Sequence, residues 1–150
     1  MPEASLVYMS VGLMLDPLLR AFPSTSALWP LVKTLWGQYL LAALIFVALP
    51  LEDGFLPANP EQSWATNLWG WSNQLALRHN YLPSLHVCLA TTIAMAVSRR
   101  QGTQIYLYLW AAAVAVSTLL VHQHHLADVL AGGLLAYASM RWGYDRWREV

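Results

Sequence analysis

"TLWGQYLLAALIFVALP", residues 34–50, carries no charge, and Thr34 and Gln38 are its main hydrogen-bonding side chains. A helix needs about 20 mostly apolar residues to cross a bilayer, and somewhat fewer when its flanks snorkel. This stretch meets that requirement, and the composition around it agrees. Hydrophobic residues make up 57% of the 150 and charged residues 11%, whereas a soluble domain averages about 25% charged. Eight Trp and seven Tyr suit the membrane–water interface, where an apolar ring and a polar tip are both satisfied. The expected fold is all-α, a multi-pass transmembrane bundle forming one domain over residues 1–150. The formal net charge is zero and leaves partners undetermined. The single cysteine, Cys88, excludes an internal disulfide. Residues 1–21 lack the basic start and small-residue site of a cleavable signal peptide.

Working outward, residues 104–121 and 125–142 form two further apolar segments, and residues 84–98 a shorter one that carries Ser, His and Thr. Ala131, Gly132, Gly133 and Ala136 would let helices approach closely, so "AGG" reads as packing rather than as a phosphate loop. Residues 5–15 are interrupted by Asp16-Pro17 and fit either a short span or a helix lying in the interface. About five membrane segments result. Residues 51–82 differ from all of these. Pro57, Pro60, Gly54 and the acidic Glu52, Asp53 and Glu61 mark a loop. Within it Trp64, Leu68, Trp71 and Leu75 recur at helical spacing, while Asn67, Asn73, Gln74 and Arg78 fall largely elsewhere. This pattern predicts an amphipathic helix in the headgroup layer, anchored by its tryptophans.

Orientation follows from the basic residues. A zigzag of the five segments puts Arg20, Lys33, Arg99, Arg100, Arg141, Arg146 and Arg148 on one side, which is cytoplasmic by the positive-inside rule. Residues 51–86 and 121–125 then share the other side, with Arg78 as its only Lys or Arg. His86 and His124 therefore start two helices at the same face.

Two motifs stand at that face. In "HNYLPSLH", residues 79–86, Pro83 sets the entry to a helix and Ser84 is a candidate N-cap. Free N–H groups at such a start favour an anion, phosphate above all. In "STLLVHQHHLAD", residues 117–128, His124 and Asp128 lie four apart on one helix face. An aspartate there can take the imidazole proton, set the tautomer and leave the other ring nitrogen as a nucleophile or base. His122 and His125 fall elsewhere. A histidine at a helix end is by default a surface or hydrogen-bonded residue, but ionisable groups at a membrane face are costly and usually functional. His-x-x-x-Asp is also a zinc-like spacing; one aspartate without a Cys or third His suits zinc less well, and Pro83-Ser84 beside His86 suits phosphate better.

"PSLH" with Ser117, His124 and Asp128 resembles the second and third signatures of the type 2 phosphatidic acid phosphatase superfamily, P-S-G-H and S-R-x5-H-x3-D. Within it the likeness is closest to inositol phosphorylceramide synthases and bacterial membrane lipid phosphatases, where P-S-L-H and "QHH..DV.AG" occur. It spans about residues 50–137. The resemblance implies a metal-free phosphohistidine mechanism: His124 attacks phosphorus, His86 protonates the leaving alcohol, and Asp128 orients His124. Ser84 and the N–H groups beside it would hold phosphate oxygens, with Ser117 among the matched motif residues. It also implies a membrane lipid phosphate as substrate, no cofactor, no metal and no nucleic-acid partner. The expected setting is a bacterial inner membrane with the site facing outward.

Three departures bear on charge. The first family signature, K-x6-R-P, is absent; Thr118 stands where the third has arginine; Leu85 replaces the glycine of the second. Arg78 is the cation left on the correct face, and Asn80 and Gln123 can add neutral donors. A lipid phosphate phosphatase is the leading expectation. The alternatives are a phosphotransferase that moves a phospho-headgroup between lipids, which suits a less charged phosphodiester, and a catalytically degenerate structural or transport subunit.

Overall fold

The computed structural model of the protein describes residues 3–51, 66, 67, 70 and 81–148. Among these it is all-helical, with no strand. Helix α1 runs over Ala4–Ala21, α2 over Thr25–Ala48, α3 over Leu85–Gln101 and α4 over Ile105–Leu120. Helix α5 starts at Leu126 and continues through a π turn at Met140–Tyr144 to Arg148. α1 and α2 are long and apolar enough to cross a bilayer, and α4 is a shorter apolar helix. The interfacial helix expected around Trp64–Leu75 lies outside the described residues.

Asp16-Pro17 does not break α1. Pro17 has no N–H to give the carbonyl one turn before it, and the chain tightens into a 3-10 turn over Ser10–Met14 just ahead of it. The helix belongs to the bundle rather than lying beside it: Met14 is wholly buried and Leu18 nearly so. Trp110 Nε1 on α4 donates to Ser10 Oγ at 2.8 Å, and Ser10 Oγ donates to the Val7 carbonyl at 2.6 Å.

α2 begins nine residues earlier than hydropathy predicts, at Thr25 rather than Thr34. Ser24 caps it, accepting the Ala27 N–H at 3.3 Å. Pro30 and Lys33 hide this start from a hydropathy reading, yet neither ends the helix. Its 24 residues span roughly 36 Å.

α3 sits in the middle. It packs against every other helix, most extensively α5 and α4. Its residues are buried around most of its circumference, and Ala90, Ala94 and Ala96 admit close neighbours. This explains why the least apolar segment of the five is a helix at all: its polar groups meet protein, not lipid. Gln38 Nε2 on α2 donates to Thr92 Oγ1 on α3 at 2.8 Å and to Ser139 Oγ on α5 at 2.5 Å. Gly102, with φ of 82°, ends α3 in a conformation that favours glycine.

Short reversals at 22–24, 102–104 and 121–125 join α1 to α2, α3 to α4 and α4 to α5. At one end Arg99 forms a two-pronged pair with Asp145 at 2.7 and 3.1 Å, and Arg100 lies 5.1 Å over the Phe22 ring. The outer surface is apolar: Val47 is 83% exposed, Leu44 68% and Leu134 67%. Such exposure agrees with the apolar surface expected of a membrane-embedded bundle.

Candidate active site

The other end of the bundle carries both histidine motifs, built from the starts of α3 and α5 and the turn that precedes α5. That turn is a Schellman closure of α4. The His122 N–H donates to the Leu119 carbonyl at 3.1 Å and the Gln123 N–H to the Thr118 carbonyl at 3.0 Å. His122 occupies the left-handed position, φ 57°, where glycine is usual. Thr118's carbonyl also receives the His124 N–H at 3.3 Å. The reversal is thereby tight enough to turn His124 back over the bundle, where it is only 6% exposed.

Two hydrogen bonds join the motifs. The Ser84 N–H donates to the Asp128 carbonyl at 3.0 Å, and His124 Nδ1 lies 3.0 Å from the Tyr81 carbonyl. A carbonyl only accepts, so Nδ1 carries the proton, and in neutral His124 the lone pair sits on Nε2. Asp128 is placed differently from the simple expectation. Its Oδ2 accepts the His125 N–H at 2.8 Å, which caps α5, and lies 3.6 Å from His124 Nδ1. At that separation the aspartate supplies charge to His124 rather than a hydrogen bond; the tautomer is set by a backbone carbonyl. Burial holds the His124 imidazole below the ordinary histidine range, with the Asp128 charge and the Tyr81 carbonyl acting in the opposite sense.

Ser84 occupies the N-cap position of α3, but its hydroxyl makes no capping bond. The side chain is completely buried and Oγ has no hydrogen-bond partner. An unpaired buried hydroxyl costs about 1–3 kcal/mol, so its retention beside the free N–H groups of a helix start suits a ligand that completes it. His86, in the same first turn, is half-buried, and the two imidazoles are close enough to interact electrostatically.

Gly132 holds this arrangement together. A Cβ there would run into the Ser84 carbonyl oxygen, whereas one on Gly133 meets nothing within 4 Å. Close packing is thus confined to one glycine of "AGG". Gly132→Ala is expected to lower stability by about 1–3 kcal/mol and Gly133→Ala to leave it within about 0.5 kcal/mol, as read by thermal melting in detergent.

The remaining candidates are more peripheral. Ser117 is buried at the end of α4 with its hydroxyl donated to the Val114 carbonyl at 2.7 Å, and Thr118 Oγ1 does the same to Ala115 at 2.7 Å. Gln123 is buried within the reversal. Arg78 and Asn80 lie outside the described residues. Among the described residues no three His, Cys, Asp or Glu side chains are grouped to hold a metal ion. Two participants are not among the residues singled out in the sequence. Tyr81 acts through its backbone carbonyl, and Tyr8 comes from the distant α1, its ring 4.2 Å from that of His86.

A family model described as the PAP2 superfamily matches residues 39–149, a span that includes both histidine motifs. No curated protein and no solved structure matches the chain.

Proposed function

The chain belongs to the PAP2 superfamily, and from that premise we propose that it is a lipid phosphate phosphatase working through a phosphohistidine on His124. The observation that carries this reading is the His124 environment: Nδ1 is tied to the Tyr81 carbonyl, so the free nitrogen is Nε2, beside a helix start with an unpartnered serine hydroxyl. Nε2 attacks phosphorus as the bond to the lipid oxygen breaks. His86 gives its proton to the departing alkoxide. Water then attacks the phosphohistidine, His86 accepts the proton, and inorganic phosphate leaves. Ser84 Oγ and the α3 N–H groups hold the phosphoryl oxygens. Asp128 offsets the positive charge that develops on the His124 ring. Arg78 supplies the cation that the family places at other positions.

Basic residues gather at the opposite end of the bundle, so the reading includes a multi-pass topology in a bacterial inner membrane with the site facing outward. A second reading, phosphotransfer to another lipid alcohol, is favoured by Thr118. Where the family has arginine, this side chain is bonded into its own helix, which leaves less charge to meet a monoester.

The test is incubation of purified protein with phosphorus-labelled phosphatidic acid, with and without a diacylglycerol-like acceptor. Acid-labile labelled protein and free phosphate are expected. New labelled lipid in place of phosphate would favour transfer, and neither product would overturn both readings. EDTA is expected to leave the rate unchanged, because among the described residues no three His, Cys, Asp or Glu side chains are grouped to hold a metal ion. Loss of activity on chelation, restored by one metal, would replace the phosphohistidine mechanism.

A further inference from the structure

Most of α1 precedes the site in sequence by more than sixty residues, and all of it lies outside the span matched to the superfamily, residues 39–149. Family membership therefore assigns it nothing. Yet Tyr8 lies against His86, with ring centroids 4.2 Å apart and planes inclined by 31°, and is only 5% exposed. Ser5 is one turn earlier on the same helix face. It is completely buried, and its hydroxyl is unpartnered. A helix that served only as a wall against lipid would need neither polar group on its inner face. The Trp110–Ser10 hydrogen bond at 2.8 Å holds this end of α1 to α4, so Tyr8 approaches His86 from an anchored support.

We propose that Tyr8 is a positioning residue for His86: its ring sets the plane of the imidazole and so aims a ring nitrogen at the oxygen leaving phosphorus. The inference rests on His86 as the proton donor, as proposed above. The terminal torsion of a histidine side chain is broad, and a helix start gives it little restraint. A stacked ring restrains the plane while using only the imidazole's face; both nitrogens, on the ring edge, stay open to substrate. Proton transfer is sensitive to that aim, since a misplacement of about 1 Å can cost roughly 100-fold in rate.

Two substitutions separate the ring from its hydroxyl and its bulk. Tyr8→Phe keeps the stack and is expected to stay within roughly twofold of wild type. Tyr8→Leu keeps apolar volume and loses the ring; it is expected to lower kcat on short-chain phosphatidic acid roughly 10- to 100-fold with KM little changed. On p-nitrophenyl phosphate, whose leaving group departs without a proton, the rate of phosphoenzyme formation in Tyr8→Leu should approach wild type. Tyr8→Leu should add nothing to His86→Ala. An equal loss on both substrates would mean a merely structural role and would overturn the inference, as would no loss on either. The stack is read apart from turnover by the His86 ring proton shift in histidine-labelled protein: Tyr8→Leu should move it and Tyr8→Phe should not, and an unmoved shift in Tyr8→Leu overturns the inference. Wild-type protein inert on both substrates would instead overturn the reading of the site, and the inference with it.

Discussion

His124→Ala is expected to abolish both turnover and labelled phosphoenzyme, a loss of roughly 10⁴-fold or more, because it removes the attacking lone pair. The His124 ring is held by the Tyr81 carbonyl at Nδ1 and by burial on its faces. His122 and His125, its neighbours, are exposed and lack the buried setting of His124, so neither is a substitute. Asp128→Asn provides a graded version. The amide oxygen can still accept the His125 N–H and cap α5, but the charge 3.6 Å from Nδ1 is gone. A fall of roughly 10²- to 10⁴-fold in kcat is expected, with the fold retained.

The same geometry sets a pH dependence. His124 must be neutral to attack. Burial lowers its affinity for a proton relative to the ordinary histidine value of 6.5, against the opposing pull of Asp128 and the Tyr81 carbonyl. Protonation as pH falls removes the lone pair, so the acid limb of kcat/KM that His124 sets should lie below pH 6.5. Asp128→Asn removes an influence that raises the value, so its acid limb should move to still lower pH. A wild-type limb centred above 6.5 would contradict the dominance of burial.

His86→Ala is expected to behave differently from His124→Ala. Losing a general acid costs roughly 10²- to 10⁴-fold on a lipid alcohol leaving group. The attack itself survives, so a substrate with a good leaving group should recover much of the lost rate of phosphoenzyme formation in His86→Ala and none in His124→Ala. Labelled phosphoenzyme should still form from that substrate in His86→Ala. Equal recovery in both variants, or in neither, would exclude the division of roles between the two histidines. The half-buried setting of His86 against Tyr8 makes it the more accessible of the two to a departing alcohol.

Much of this protein is determined by local rules that a sequence displays directly. The apolar runs at 34–50, 104–121 and 125–142 mark three of the helices, because hydration cost acts residue by residue. The spacing of His124 and Asp128, and of Ser84 and His86, marks one end of the bundle for the same reason: a fixed helical period converts separation into direction. Where backbone and packing decide, that reading stops. The extra turns of α2 before Thr34 depend on Ser24 as a cap, and Pro30 and Lys33 outweigh it in any hydropathy sum. Asp128 reads as the partner of the His124 N–H; the fold gives that proton to Tyr81 and the carboxylate to the His125 N–H, since the tight closure of α4 brings a backbone carbonyl nearer. Gly132 and Gly133 are equivalent in sequence, and only the approach of the Ser84 carbonyl distinguishes them. Tyr8 is the furthest case. Its meeting with His86 is made by α1 packing against α3 and α4, a contact between helices distant in the chain, which no local period or motif encodes.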